Sequence, residues 1–248
     1  MSGHSKWSTI KRKKGAKDAA RSKVFSKLIK EIQIAAKMGG PDPEGNPRLK
    51  MAIQNGKAEN LPKDNIERAI KKASGADATN YEEVVYEGYA PHGIAVMVEC
   101  TTDNTNRTVA NIRSYFNKFN GSLGKTGSLG HIFDQKGVFT FKDGQKKLED
   151  IELDLIDAGA EDIDTDEGYI EVSCAREDFG SLQKKFDELK IEIENAGLKR
   201  IPKDTKALTL AEFQSVMKLV DIIEEDDDVQ NVYHNIELTD ELLSSLED

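Results

Sequence analysis

The sequence predicts an α+β protein in which an N-terminal three-helix domain is followed by two ferredoxin-like α/β domains, the last inserted into the middle one. Helical periods occupy residues 18–74. A βαββαβ order follows between about residues 137 and 202, and a helix and a strand are left over after it. The predicted domains are residues 1–79, residues 80–135 plus 205–248, and residues 136–204.

Three helices are predicted in the first domain, at residues 18–38, 47–58 and 62–74. Asp18 is a good N-cap residue, and the apolar residues after it cluster on one helix face at about 100° per residue. A proline opens each of the other two helices. Residues 1–17 have no apolar period, so no regular element is predicted there.

The two α/β domains are predicted from alternating apolar residues and turn residues. The helix at 208–223 and the strand at 229–238 need a sheet to join, so we expect them to complete the sheet that begins at residue 84. A terminal helix starts at Thr239. Two strands, a helix and a short strand precede the βαββαβ segment, at residues 84–90, 93–100, 106–119 and 131–134.

Charge is strongly segregated along the chain. Residues 1–75 contain 18 Lys and Arg against 7 Asp and Glu, a net charge of +11, whereas the remaining residues carry −21 and the whole chain −10. Salt screens charges beyond about 8 Å, so local charge decides what a surface binds. The overall acidity therefore does not exclude a nucleic-acid partner.

The most basic stretch is the N-terminal arm, defined as residues 1–17, with the first predicted helix. Residues 1–30 hold ten Lys and Arg against one acid, and Trp7 and His4 can stack on bases. Four lysines of the helix fall opposite its apolar face and extend the cationic surface. The predicted nucleic-acid contacts are Lys6, Trp7, Lys11, Arg12, Lys13, Lys14, Lys17, Arg21, Lys23, Lys27, Lys30 and Lys37.

Such a block binds phosphate backbones without reading their sequence. Duplex DNA and ribosomal RNA are both candidate partners, and the alternatives are an acidic protein or the chain's own acidic domains. The four histidines are scattered, and neither a GxSxG nor an HExxH motif is present. We therefore predict no catalytic residue, no cofactor, no metal ion, no membrane contact and no enzyme.

The glycine-rich stretch at residues 121–130 is predicted to be a helix cap followed by a flexible loop. It is not a P-loop, because the first glycine of that motif would stand where Phe119 does. The alternative is a mobile loop whose amides and Lys125 contact phosphate.

Two further polar stretches have a structural and a functional interpretation. Asp103, Asn104 or Thr105 is expected to cap the helix predicted at residues 106–119, and the alternative is a phosphate or RNA contact by Asn104 and Arg107 at the start of that helix. The acidic run at residues 224–228 lacks the spaced ligands of a calcium loop and is predicted to be a solvated turn or a surface that repels phosphate.

The composition predicts a cytoplasmic protein. No apolar run approaches the ~18 residues of a membrane span, and the basic start lacks the apolar core of a signal peptide. The arm uses mainly Lys, where mitochondrial presequences favour Arg. Cys100 and Cys174 lie in apolar strands, as buried thiols of a reducing compartment do.

Six segments together resemble the YebC family: GHSKW, FSKLIKEI, AAKMGGPDPEGNPRL, EGYAPHG, DNTNRTVANIR and DVQNVYHN, between residues 3 and 235. The resemblance implies a three-domain protein with a helical N-terminal domain, and no catalytic residues. It implies a cytoplasmic DNA-binding transcriptional regulator, whereas other relatives resemble translational activators or factors for stalled ribosomes. The family pattern in the arm is matched at Lys6, Trp7, Lys11, Arg12, Lys17 and Arg21, and Lys13 and Lys14 make this arm more basic.

Overall fold

The structure, a computed structural model, describes residues 18–75, 78–166 and 168–245, with side chains from residue 21 onward. Helices come first and two four-stranded sheets follow, which confirms the predicted α+β class. No helix among these residues is both long and apolar enough to cross a bilayer. In chain order the elements are α1 (Asp18–Gly39), α2 (Pro47–Ala58), α3 (Lys63–Ala73), β1 (Glu82–Ala90), β2 (Ile94–Thr102), α4 (Thr105–Lys118), β3 (Ser122–Leu123), β4 (Phe133–Lys142), α5 (Leu148–Asp157), β5 (Ala160–Asp166), β6 (Tyr169–Ala175), α6 (Phe179–Leu189), β7 (Ile193–Pro202), α7 (Leu210–Glu224), β8 (Val229–His234) and α8 (Asp240–Ser244).

The first sheet has the strand order β3-β1-β2-β8. The adjacent strands are antiparallel, so β2 and β3, joined by α4, run parallel on either side of β1. Alternate residues of β2, such as Val96 and Val98, are fully buried in one core with Phe116 of α4 and Phe213 of α7. The leftover helix and strand thus complete this sheet, as predicted.

The second sheet has the order β5-β6-β4-β7 and is built by the βαββαβ segment. This is the ferredoxin-like arrangement that the sequence predicts, and it lies in the chain between β3 and β8 of the first sheet. Its core contains Phe139 and Phe141 of β4, Leu155 of α5 and Phe186 of α6, all of which are buried.

The predicted strand at residues 131–134 is wrong. The third strand of the first sheet is instead the two-residue β3, where Leu123 pairs with Gly88. Residues 129–132 lie in a turn in which the amide of Ile132 donates to the carbonyl of Leu129 at 2.9 Å. The strand β4 therefore begins at Phe133, earlier than the expected residue 137.

The described residues divide into two compact units, residues 28–78 with 135–200, and residues 18–27 with 79–134 and 201–245. In the first unit, the Asn55 side chain of α2 donates to the carbonyl of Ala196 at 2.9 Å and accepts from its amide at 3.0 Å. Lys50 forms an ion pair with Asp187 at 2.8 Å. Helix α2 is thus tied to the ferredoxin-like sheet, and the domain limits near residues 79, 135 and 204 stay a prediction.

Both cysteines are buried thiols, as predicted. Burial raises the pKa of the Cys174 thiol to about 11. A thiol with so high a pKa holds little reactive thiolate at neutral pH.

We expect Gly88→Ala to destabilise the protein by about 1–3 kcal/mol, because the added methyl group overpacks a filled site. A Cβ at Gly88 would lie 2.6 Å from the Ser122 carbonyl oxygen and 2.8 Å from the Phe116 ring. Urea unfolding measures the change. The control is Gly180→Ala, where nothing lies within 4 Å of the added carbon, and an equal loss in both variants would contradict the prediction.

Candidate nucleic-acid interface

The predicted contacts of the N-terminal arm lie outside the described residues. They are Lys6, Trp7, Lys11, Arg12, Lys13, Lys14 and Lys17. The predicted contacts that the structure describes are Arg21, Lys23, Lys27, Lys30 and Lys37, all on α1.

Two lysines of α1 contact backbone oxygens. Lys23 Nζ donates to the carbonyl of Glu225 at 3.2 Å, and Lys27 Nζ donates to the carbonyl of Gln230 at 3.4 Å. Both lysines are half-buried, whereas Arg21 is exposed and stacks its guanidinium 5.3 Å from the Phe25 ring centroid. A phosphate that binds Lys23 or Lys27 would have to replace a neutral carbonyl partner.

The glycine-rich stretch is anchored by a buried carboxylate. Glu87 of β1 is 6% exposed, and its two carboxylate oxygens accept from the amides of Gly127 at 2.7 Å and Leu129 at 2.6 Å. Its carbonyl oxygen accepts from the amide of Gly124 at 2.7 Å. Three amides that could have faced phosphate are therefore already bonded, and the exposed Lys125 is the part of the predicted site that stays open to solvent.

Asn104 caps α4, in line with the favoured interpretation. Its side-chain oxygen accepts from the amide of Arg107 at 3.0 Å. The Arg107 guanidinium donates to Asp103 at 2.8 Å and to Asp228 at 2.7 Å. These carboxylates raise the pKa of Arg107 further above its ordinary value. A phosphate that binds Arg107 would therefore compete with two carboxylates of the same protein.

The acidic run is not simply a solvated turn, because Asp228 is 5% exposed. Its Oδ2 atom accepts from Arg107 and lies 3.1 Å from the hydroxyl of Thr102 and 2.9 Å from that of Thr108. Its carbonyl oxygen accepts from the amide of Thr101 at 2.7 Å. Asp228 thus joins the end of β2 and the start of α4 to the start of β8.

Asp226 has a similar inward role. Its Oδ2 accepts from the Tyr115 hydroxyl at 3.0 Å and from the Asn111 amide at 3.2 Å, both on α4. Burial, followed by the hydrogen bond to Asp226, raises the pKa of Tyr115 to about 12.

One group of side chains has the composition of a hydrolytic relay. His92 Nε2 lies 3.0 Å from Ser215 Oγ, and His92 Nδ1 lies 3.4 Å from Glu212. The Ser215 hydroxyl, however, donates to the Glu212 carbonyl at 2.7 Å, as serines inside helices do. The Glu212 carboxylate also accepts from Thr209 in the capping box of α7. These contacts fit helix capping rather than activation of a nucleophile.

Sequence reasoning missed the inward carboxylates of Glu87, Asp226 and Asp228. The sequence contained a weak sign that Glu87 is buried, because it is the one acidic residue within the predicted strand VVYEGYA. No group of three or more His, Cys, Asp or Glu among the described residues is arranged to hold a metal ion.

Comparisons with known proteins cover nearly the whole chain. A family model for the TACO1/YebC protein N-terminal domain matches residues 5–76, and one for the TACO1/YebC second and third domain matches residues 81–236. A probable transcriptional regulatory protein of Amoebophilus asiaticus is 53% identical over 239 residues, which cover 95% of this chain and 98% of that protein. The crystal structure of a conserved hypothetical protein from Aquifex aeolicus has a TM-score of 0.81 and 41% identity, over 91% of this chain and 94% of that one.

We expect Asp228→Asn to lower the free energy of unfolding by about 1–3 kcal/mol, because the buried acceptor of Arg107 loses its charge. Urea titration measures the change. Glu225→Gln is the matched control, since it removes one charge from an exposed position in the same run and should change stability by less than about 0.5 kcal/mol. Equal effects of the two substitutions would show that Asp228 acts through net charge alone.

We expect the Tyr115 hydroxyl to make stability fall in alkali. The folded pKa, about 12, lies above the ordinary value of 10.0, so the unfolded chain loses this proton first. Stability from the bond to Asp226 is thus fully present below pH 10 and is lost as pH rises towards 12. Urea unfolding across this range measures the difference between the native chain and Tyr115→Phe, which should shrink with pH. A difference independent of pH would contradict the assignment.

Proposed function

Because the chain belongs to the TACO1/YebC family, we propose that it is a non-enzymatic regulator of transcription that binds duplex DNA through its basic N-terminal segment. The Amoebophilus asiaticus relative is named as a probable transcriptional regulatory protein, which supports the regulatory role. The proposed site of action is the cytoplasm. The Ser215 hydroxyl is bonded to a carbonyl inside α7 and the Glu212 carboxylate belongs to the capping box with Thr209, which favours a non-enzymatic protein.

The observation that carries the proposal is the segregation of charge. Residues 1–75 carry +11 in a chain of net charge −10, and six Lys and Arg of this excess lie in the arm. Neutralising phosphates with such residues releases condensed counterions, which drives binding at low salt. An acidic remainder would repel phosphate and thereby restrict nucleic acid to the basic segment.

On this proposal the arm supplies the main contacts and α1 supplies auxiliary ones. Lys23 and Lys27 each have a neutral carbonyl partner. A phosphate oxygen is charged, and hydrogen bonds between charged groups are about twice as strong as neutral ones. Phosphate can therefore replace the carbonyl at Lys23 when the nucleic-acid backbone comes close.

Ribosomal RNA is the second candidate partner. The exposed cations of α1 are Arg21 and Lys37, and such side chains bind phosphates without reading the sequence of the bases. Sedimentation with ribosomes and footprinting on genomic DNA separate the two candidates. A selective footprint without ribosome binding supports the DNA proposal, and stable ribosome binding without a footprint overturns it. Binding to neither would point to an acidic protein as the partner.

We expect deletion of residues 1–17 to remove most of the affinity for a random-sequence DNA duplex. The deletion removes six cations, so the slope of log affinity against log salt should fall by up to about 5. Fluorescence anisotropy at several salt concentrations measures both effects.

The matched control is a chain in which residues 1–17 are shuffled, because it keeps the charge and length of the arm. The shuffled chain should retain most of the affinity, since phosphate contacts do not depend on the order of the arm. Unchanged binding after deletion would refute the role of the arm.

A further inference from the structure

Helix α3 has a basic face that the sequence analysis did not consider. Its buried side comprises Ile66, Ala69 and Ala73. Its exposed side carries Arg68, Lys71 and Lys72, spaced so that neighbouring Cβ atoms lie about 5–6 Å apart. We call these three residues the α3 cationic face.

Carboxylates do not neutralise this face within the described residues. Arg68 donates to the carbonyl of Asp64 and to the side-chain oxygen of Asn65, both uncharged acceptors. In the part of the chain that the structure describes, neither Lys71 nor Lys72 has a side-chain hydrogen bond or an ion pair. Their ammonium groups are therefore available to an external anion.

Other lysines of the same unit differ in this respect. Lys50 pairs with Asp187 at 2.8 Å, Lys136 with Glu161 at 3.0 Å and Lys142 with Glu194 at 3.0 Å. On α3 itself the two acids stand in the first half of the helix, where Glu67 lies 3.6 Å from Lys63. The positive charge is thus concentrated in the second half.

The helix dipole explains only part of this arrangement. Cations in the last turn stabilise a helix by about 0.3–1 kcal/mol each, which accounts for Lys71 and Lys72 at the C-terminal end of α3. This effect needs a cation near the terminal carbonyls but not a third cation one turn earlier. The dipole does not account for Arg68, which bonds to neutral acceptors of its own helix and leaves its positive charge exposed beside the two lysines.

We propose that the α3 cationic face binds the phosphate backbone of the nucleic acid, as a contact surface additional to the arm and α1. The inference rests on the proposed function, because it takes the same partner. Duplex DNA presents one negative charge per about 1.7 Å of its axis, and Arg68 to Lys72 spans about 6 Å of helix. Three cations on that length match several consecutive phosphates. The face fixes the orientation of the protein on the duplex.

The test compares two double charge reversals, Lys71→Glu with Lys72→Glu, and Lys146→Glu with Lys147→Glu. Both pairs are adjacent, exposed and in the same unit, so the change of net charge is identical. Affinity for a random-sequence DNA duplex is measured by anisotropy between about 50 and 200 mM salt. Circular dichroism and the thermal midpoint show whether each variant folds, and Lys71→Gln with Lys72→Gln is a milder second variant.

We expect the α3 variant to bind about tenfold more weakly and its salt slope to fall by about 2, because two phosphate contacts are lost. The Lys146 and Lys147 variant should change affinity by less than about twofold, because screening weakens charges that do not touch the duplex. Equal losses in both variants, or no loss in the α3 variant, would overturn the inference.

The arm deletion separates failure of this inference from failure of the proposed function. If the deletion abolishes binding while the folded α3 variant binds normally, the α3 face is not a contact but the proposed function stands. If the native chain binds no duplex, the proposed DNA function fails. Pelleting of the same variants with ribosomes shows whether the phosphates belong to ribosomal RNA, which the face would bind by the same chemistry.

Discussion

The fold depends on the return of the chain to its first sheet, where β8 pairs with β2 after the whole second sheet has been formed. Residues 124–228 separate β3 from β8, and within them lies the whole ferredoxin-like sheet. Closing a loop of that length costs conformational entropy, which contacts at the point of return must offset. Asp228 stands at that point, where its backbone bonds to Thr101 and its carboxylate accepts from Arg107. Sequence-distant strands therefore meet in register, and α7 can close the core.

Some of the acidic residues after residue 75 stabilise the fold and do not simply add negative charge to the surface. Glu87, Asp226 and Asp228 belong to the −21 segment, yet each points inward and organises a loop or a helix. The unpaired cations of α3, in contrast, point outward. Part of the acidic charge therefore holds loops and helices in place instead of lying on a solvated surface, and Arg107 neutralises the part that Asp228 carries.

The periodic elements were predictable from sequence, whereas the short and polar ones were not. Apolar repeats and caps locate α1, α2 and the βαββαβ order within a few residues. The two-residue β3 leaves no period to detect, and it exists because Gly88 gives it room. Likewise, the neighbouring residues of an acidic run do not show which of its carboxylates is buried. The partners of Asp228 on β2 and α4 stand about 120 positions away in the chain.

In the candidate site, too, some contacts could be predicted from the sequence and others could not. The capping role of Asn104 could be predicted from its place just before a helical period, and its side chain does accept from the amide of Arg107. The carbonyl partners of Lys23 and Lys27 come from residues 225 and 230, so no local pattern could show that these lysines are partly occupied. The α3 cationic face could be recognised only once the tertiary structure showed which lysines have carboxylate neighbours.

The contact between Asn55 and Ala196 has a consequence for self-association. Strand β7 is an edge of its sheet, and an open edge offers unpaired amides and carbonyls on which another molecule can add a strand. The carboxamide of Asn55 imitates one residue of a neighbouring strand, since it gives and takes a hydrogen bond at Ala196. A side chain of the same molecule thus occupies the edge at Ala196, and a strand from another molecule could not form those two hydrogen bonds without displacing it.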